Sequence, residues 1–360
     1  MKNLSKNKAV INGSASVLSI LIGFGFSFIV LLISNAPYSF VGLTTLLLGG
    51  FNGGMQGIGN VLYTAGPIIL TGLAVGFAFK TGLFNIGATG QFIIGAFTAV
   101  YVGVRWTFLP VEIHWVVALL AAFIAGGLWA LIPGILKAYR NVNEVISSII
   151  MNYIGLYLVN YMIKITIFDP TKNQALMPTR AYLPVYGLDK IFTNSSINVG
   201  FFIAVLMAII AYIILEKTTF GYELKACGFN RFASEYAGIN SKRNIWLSMA
   251  ISGCFAGLAG GVMYLAGSAR YFEIIDLLLQ YPEGFTGISV ALLGLSNPIG
   301  IIFAGIFIGY IKIGGFYLQW YPIMPEIVDL MVAVIIYLSA LSFFFRAKIV
   351  YVLKKIEAKK

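Results

Sequence analysis

The stretch Glu216–Asn244 reads EKTTFGYELKACGFNRFASEYAGINSKRN and mixes charges of both signs. Strongly apolar blocks flank it on both sides, at residues 198–215 and 246–268. A helix needs about 20 apolar residues to cross a lipid bilayer. The stretch is therefore predicted to be a polar connection between two membrane helices.

The composition of the whole chain also indicates a membrane protein. Of its 360 residues, 59% are hydrophobic and only 10% are charged, whereas about a quarter of a soluble domain is charged. A net charge of +11 in a soluble protein would suggest nucleic acid as a partner. Here the basic residues lie between apolar blocks, as in loops that face the negatively charged inner leaflet. We therefore expect contact with membrane lipid and no nucleic-acid partner.

The apolar blocks predict an all-α, polytopic bundle of about ten membrane segments, formed by a single domain over residues 1–360. The eighth segment is short and rich in glycine. The first could be a signal peptide, because Ser34-Asn35-Ala36 resembles a cleavage site, but its apolar run exceeds the usual length of roughly 7–15 residues. It is interpreted as a retained helix. The ten segments are 14–34, 60–79, 84–104, 114–137, 145–168, 198–215, 246–268, 284–296, 299–319 and 327–345.

The distribution of Lys and Arg predicts the orientation in the membrane. Most of these residues fall in one alternate set of connections, and basic loops are retained in the cytoplasm. This places the N-terminus 1–13, the polar loop 216–245 and the tail 346–360 inside the cell. On the outside, the uncharged segment 35–59 is predicted to lie along the membrane interface, and residues 169–197 to form a structured loop. Either outer segment could receive a partner or simply cap the bundle.

Polar residues within the segments mark a candidate solute pathway. An unpaired polar group in lipid costs several kcal/mol, so these side chains must face protein or water. Hydrogen bonds between helices and the wall of a cavity for an uncharged solute are both open interpretations. For Glu144 a favourable position at a helix N-terminus is preferred. The candidates are Asn85, Gln91, Glu144, Asn152, Thr286 and Ser289.

Charged groups also lie near the last segments. Lys312 and Asp329 are predicted to form a compensating pair, with a proton or ion relay as the alternative. The chain has no phosphate-binding loop, no catalytic triad and no metal-ligand spacing, and its two cysteines suggest neither a disulfide nor a metal site. Its one histidine, His114, is expected at headgroup level beside Trp115. An enzyme is therefore not expected, and neither a metal nor a cofactor in this chain.

Within the polar loop, residues 231–237 are predicted to form one short helix. Asn230 suits the N-cap and Gly238 the C-terminal stop. The pairs Phe232/Tyr236 and Ala233/Ala237 are four residues apart, so they give the helix an aromatic face beside a small-residue face. Such a short helix needs a surface to pack on, either the bundle itself or another protein.

Four stretches together resemble the permeases of ABC importers for simple sugars, nucleosides and branched-chain amino acids. The loop departs from the family pattern at Arg231 and at Ser234-Glu235, where Pro and Ala-Ala are common. The resemblance covers roughly residues 60–340. The stretches are Gly82-Leu83-Phe84-Asn85-Ile86-Gly87, Asn143-Glu144-Val145-Ile146, Gly221 to Ile239, and Gly284-Phe285-Thr286-Gly287-Ile288 with the following Val290 to Gly294.

The resemblance is greatest to nucleoside permeases that work with a Bmp-type lipoprotein. It implies a type II importer in a bacterial cell membrane. Its implied partners are a second permease subunit in a heterodimer, an extracellular solute-binding lipoprotein, and a cytoplasmic ATPase subunit that binds the ATP and Mg. The polar loop would then be the coupling loop that contacts the ATPase, through Gly228, Asn230, Phe232, Ala233, Tyr236, Ala237 and Gly238.

Three alternatives remain at the level of sequence. The solute could be a simple sugar of the ribose type, since neutral polar residues suit either solute. The chain could be a secondary transporter driven by ions or protons through Lys312 and Asp329. It could also be a membrane scaffold that transports nothing.

Overall fold

A computed structural model describes residues 8–172, 174–178, 180–267, 283–340 and 350. The predictions for residues 1–7, for the end of the tenth segment at 341–345 and for nearly all of the tail 346–360 lie outside the described residues.

Helices make up most of the described chain, and one overlaps each of the ten predicted segments. Within the described residues, six helical stretches are long and apolar enough to cross a membrane, and the first of them, Val17–Lys80, includes three α-helices. The chain is therefore a multi-pass membrane protein. The helices are α1 Lys8–Asn35, α2 Ser39–Leu48, α3 Gly54–Lys80, α4 Ala88–Arg105, α5 Val111–Arg140, α6 Glu144–Thr166, α7 Leu188–Ile191, α8 Gly200–Lys217, α9 Thr219–Phe229, α10 Arg231–Tyr236, α11 Ser241–Tyr264, α12 Glu283–Leu293, α13 Pro298–Leu318 and α14 Pro325–Ala340.

Asparagine side chains begin several helices. Each accepts a hydrogen bond from a backbone N–H in the first turn, which has no acceptor within its own helix. The Oδ1 atom of Asn143 lies 2.9 Å from the amide of Val145 at the start of α6. Asn240 and Asn297 do the same for α11 and α13, each over 3.0 Å. These caps explain why the helices start immediately after polar turns.

Helix α11 occupies the centre of the bundle, where it packs against α3, α4 and α5. Glycines allow this close approach. A Cβ on Gly257 would overlap the carbonyl oxygen of Ala122 and lie 2.8 Å from the Cα of Gly126 in α5. Small residues at helix interfaces let backbones pack tightly where lipid offers no hydrophobic driving force.

Replacing Gly257 with alanine is expected to destabilise the bundle by about 1–3 kcal/mol, because the new methyl group would push α11 away from α5. The thermal unfolding midpoint of the detergent-solubilised protein measures the effect. The control is Gly25→Ala in α1, where a Cβ would meet no atom within 4 Å. Equal midpoints for the two variants would contradict the close α5–α11 contact.

A second cluster forms where the first and last helices meet. Leu31 of α1, Leu46 of α2, Ile311 of α13 and Ile335 of α14 are fully buried there. Helix α2 lies in the segment 35–59, between two turns of 3-10 helix, and its Gly42 approaches Leu31 closely. This segment is therefore packed on α1 and α13.

The connection 169–197 contains the departures from an all-α fold. Two short strands, β1 Phe168–Asp169 and β2 Gln174–Ala175, pair antiparallel across a tight turn. In this turn Thr171 donates hydrogen bonds to Asp169 through its hydroxyl and its amide, and these bonds lower the pKa of the carboxyl group. Helix α7 follows. The turn residues are Pro170, Thr171 and Lys172, which favour a reversal over a helix.

His114 faces protein, and the headgroup level expected for it stays a prediction. The side chain is fully buried between α4 and α5, and its Nε2 donates to the carbonyl of Val102 over 3.0 Å. This carbonyl lies near the end of α4, where it also accepts a hydrogen bond from the backbone N–H of Trp106. A neighbouring helix, which the sequence pattern does not specify, thus determines where the imidazole lies.

Candidate solute pathway and cytoplasmic docking surface

A hydrogen-bonded polar cluster lies at the start of α4. Asn85 is fully buried, and its Nδ2 donates to Gln91 Oε1 over 2.8 Å and to Ser252 Oγ over 2.6 Å. Gln91 returns a bond of 3.0 Å to Asn85 Oδ1, and Ser252 donates to the carbonyl of Ala74. The cluster therefore ties α3, α4 and α11 together, which favours the interhelical interpretation of Asn85 and Gln91.

Asn152 attaches α6 to the start of α4. Its Oδ1 accepts from the amide of Gly90 over 2.8 Å, and its Nδ2 donates to the carbonyl of Ile86 over 3.0 Å. The side chain thus satisfies one first-turn donor of α4. It is 2% exposed, so in this conformation it faces protein and no open cavity.

Glu144 lies apart from that cluster. It is the first residue of α6, and it pairs with Lys137 in the last turn of α5 over 2.9 Å. Each charge is at the helix end that favours it electrostatically. The geometry supports the structural role preferred for Glu144, and its pathway role stays a prediction.

Thr286 and Ser289 are half-buried in α12, which packs closely on α3 and α4. A Cβ on Gly284 would lie 2.6 Å from the Cα of Thr89, and one on Gly287 would lie 2.7 Å from the backbone of Thr71. The short α12 therefore fits against its neighbours through glycines. Its two polar candidates are separate from the Asn85 cluster, and their pathway role also stays a prediction.

Lys312 lines a small cavity together with the buried Glu283 of α12 and with Tyr63 of α3. Asp329, the partner expected for Lys312, is exposed on α14. The structure thus brings a different carboxylate into the neighbourhood of Lys312. The cavity measures about 70 Å³, whereas ligand pockets begin at about 300 Å³. It is too small for a sugar or a nucleoside in this conformation.

The polar loop contains two helices, of which the sequence pattern predicted only the second. In α9, the hydroxyl of Thr218 caps the amide of Gly221, and Lys225 pairs with Glu216 over 2.9 Å. Glu223 holds α9 to α11, since its Oε2 accepts from Arg243 over 2.7 Å and from Asn244 over 3.1 Å. The signal for α9 was the cap residue at position 218.

The caps predicted for α10 are confirmed. Asn230 Oδ1 accepts from the amide of Ala233 over 3.0 Å, and Gly238 has a φ of +84°, which favours glycine. Gly228 lies directly against the turn after α3, where a Cβ would lie 3.0 Å from the amide of Gly82. The end of α9, which leads directly into α10, is thus packed against the membrane bundle.

The outer face of α10 is open. Ser234 is buried against the bundle, whereas Phe232 is 80% exposed and Tyr236 is 98% exposed. Ala233 and Ala237 are also exposed, and they line a groove of about 630 Å³ between α9 and α10. Phe229, at 92% exposure, extends the aromatic face but was missed as a site residue. One side of α10 thus packs on the bundle through Ser234, whereas among the described residues its aromatic side chains are mostly uncovered and available to another protein.

A multi-pass helical bundle with a buried polar junction and one exposed aromatic helix has the organisation of a transport permease. The chain belongs to the family described as branched-chain amino acid transport system / permease component, whose model matches residues 57–340. The chain is therefore a transport component and not an enzyme.

Curated relatives cover most of the chain. It is 40% identical to the guanosine ABC transporter permease protein NupP of Bacillus subtilis, over 92% of this chain and 93% of the relative. It is 38% identical to the nucleoside ABC transporter permease protein NupB of Lactococcus lactis, over 81% of each. It is 33% identical to the glucose ABC transporter permease protein TsgB13 of Haloferax volcanii, over 81% of this chain and 77% of the relative. No solved structure matches the chain.

Proposed function

We propose that this permease subunit forms the pathway of an ATP-driven importer for purine or pyrimidine nucleosides. The observation that carries the proposal is the exposed aromatic face of α10 in a chain that is 40% identical to a guanosine permease over almost its whole length. The subunit has ten membrane spans and the type II importer arrangement, with both termini in the cytoplasm.

The exposed face of α10 docks on the cytoplasmic ATPase subunit, which binds the ATP and Mg. Two features support this role. The aromatic rings of Phe229, Phe232 and Tyr236 offer a large apolar area beside a groove, as interface anchors do. Gly228 rests on the turn after α3, so force applied to α10 reaches the membrane helices directly.

A second permease subunit packs against α6. Tyr153, Tyr157 and Tyr161 form a row with one residue per turn, and each is more than half exposed. Tyrosine prefers the membrane interface, and a phenol hydroxyl near the bilayer centre needs a polar neighbour. A partner subunit, and the solute path between the two subunits, would supply that neighbour. Bacillus subtilis has two different guanosine permease proteins resembling this chain, NupP and NupQ, which favours a heterodimer.

An extracellular lipoprotein delivers the solute to the outer connections, residues 35–59 and 169–197. These two connections touch each other, because Gln56 donates to the carbonyl of Asn194 over 3.0 Å and Asn60 accepts from the amide of Ser196 over 3.0 Å. They therefore form one continuous outer surface. A simple sugar is the second candidate solute, favoured by the likeness to the glucose permease TsgB13.

Uptake measurements separate the candidates. The complete transporter is expected to import radiolabelled guanosine or uridine in an ATP-dependent manner, with at least a tenfold preference over ribose and glucose. Import that survives ATP depletion but stops when the proton gradient is collapsed would contradict an ATP-driven importer. A preference for sugar would contradict only the proposal that the solute is a nucleoside. The proposal of an ATP-driven importer would stand.

A further inference from the structure

Helix α4 begins inside the helical bundle and not at its end. The chain turns back after Lys80, the cytoplasmic end of α3, and re-enters alongside it before α4 starts at Ala88. Asn85 is linked through Ser252 to the carbonyl of Ala74, six residues before the end of α3. At 1.5 Å per residue this level is about 9 Å above Lys80. The first turn of α4 therefore opens well within the bundle.

The first turn of α4 carries donors that the bundle only partly satisfies. The N-cap residue Gly87 offers no side-chain acceptor, and Asn152 accepts from the amide of Gly90 alone. The hydroxyl of Thr89 is fully buried and has no hydrogen-bond partner in the part of the chain that the structure describes. The hydroxyl of Ser148, on the neighbouring α6, is also fully buried without a partner among the described residues. Buried hydroxyl groups without partners are unfavourable, so each needs an explanation.

Helix α12 covers this turn. The Thr89 hydroxyl points at the backbone of Gly284, where any side chain on α12 would collide with it. Gly287 repeats the contact one turn later, against the backbone of Thr71. Because glycines form the contact, α12 can move along or away from α4 without withdrawing interlocked side chains. In this conformation α12 leaves no room for a solute beside Thr89.

We propose that the first turn of α4, with the Thr89 hydroxyl at its centre, is a solute-binding site within the membrane that α12 covers in this conformation. When α12 moves away, the Thr89 hydroxyl binds a hydroxyl or carbonyl oxygen of an uncharged solute, such as the ribose of a nucleoside. Helix N-termini exposed near the membrane centre are a common way to bind solutes. The inference rests on the proposed transport function and adds the site and its cover.

The substitution Thr89→Val tests the site, because it removes the hydroxyl and keeps the volume. In the complete transporter we expect import to fall at least tenfold, while the thermal unfolding midpoint stays the same or rises. Thr89→Ser should retain import. The matched control is Thr98→Val on the same helix, whose hydroxyl already donates to the carbonyl of Ile94, and it should leave import within twofold of wild type. Normal import by Thr89→Val, or a lower midpoint, would overturn the proposal.

Three failures are distinguishable in that assay. A wild-type transporter that imports sugar and not nucleosides contradicts the proposed solute. The import rate of Thr89→Val relative to wild type is then measured with the sugar. A wild-type transporter that imports nucleosides while Thr89→Val does so equally well contradicts the site alone. Wild-type protein that imports neither solute contradicts both proposals.

Thiol labelling tests the cover independently of import. A Thr89→Cys variant, with Cys227 and Cys254 replaced by serine and alanine, is treated with a small membrane-permeant thiol reagent. We expect little reaction in the resting complex and at least a fivefold faster reaction during ATP-driven transport, because α12 then exposes the residue. Equal rates in the two conditions would show that α12 does not cover the site.

Discussion

Tyr236→Glu is expected to abolish nucleoside import, with at least a hundredfold loss, while the membrane bundle stays folded. Tyr236 is 98% exposed and makes no contact that stabilises the bundle, so the substitution should not disturb folding. In the complex, however, the new carboxylate would be buried unpaired in an apolar interface, which costs about 3 kcal/mol or more. Since 1.4 kcal/mol corresponds to a tenfold change in affinity, the ATPase subunit would dissociate.

The measurement is co-purification of the ATPase subunit, together with ATP-dependent uptake in membrane vesicles. Tyr236→Phe keeps the ring and should behave like wild type. Lys217→Glu introduces a larger charge change at the exposed C-terminal end of α8, outside the groove, and should leave both readouts intact. If Tyr236→Glu still binds the ATPase subunit and imports normally, α10 is not the docking helix.

Asn85→Ala is expected to destabilise the bundle by about 3 kcal/mol. The amide group makes three hydrogen bonds, and its removal leaves both polar ends of the Gln91 side chain without partners in a fully buried position. Each buried group left unsatisfied costs about 1–3 kcal/mol. The thermal unfolding midpoint in detergent should fall by several degrees, and the amount of protein in the membrane should fall with it.

Gln56→Ala provides the matched control for this prediction. Its amide also donates across the structure, to the carbonyl of Asn194, but from an exposed position where water can replace it. The midpoint should change little. If Asn85→Ala is as stable as Gln56→Ala while import is lost, then Asn85 serves the solute pathway and not the packing of helices.

The polar loop and the membrane bundle differ in how much of their structure can be predicted from the sequence. In the loop, Asn230 and Gly238 specify the ends of α10 through local hydrogen bonds and a positive φ, so the short helix could be predicted from a few letters. Helix α9 also has a local signal, because Thr218 caps the amide of Gly221, but its ion pair joins Lys225 to Glu216 at the end of the preceding helix. Helix ends that depend on hydrogen bonds between residues close in sequence can be predicted from the sequence. Contacts with residues far away in the sequence cannot be predicted in this way.

The sequence by itself determined that the chain crosses the membrane several times, because hydropathy measures the transfer free energy of each segment alone. It also determined the N-cap of α10, where donor and acceptor are three residues apart. Only the tertiary structure decided what the buried polar side chains face. Asn85 meets Ser252 across 167 positions of sequence, and Thr89 meets the backbone of Gly284. No periodicity along one helix encodes such a partner, because the contact exists only once the helices have packed.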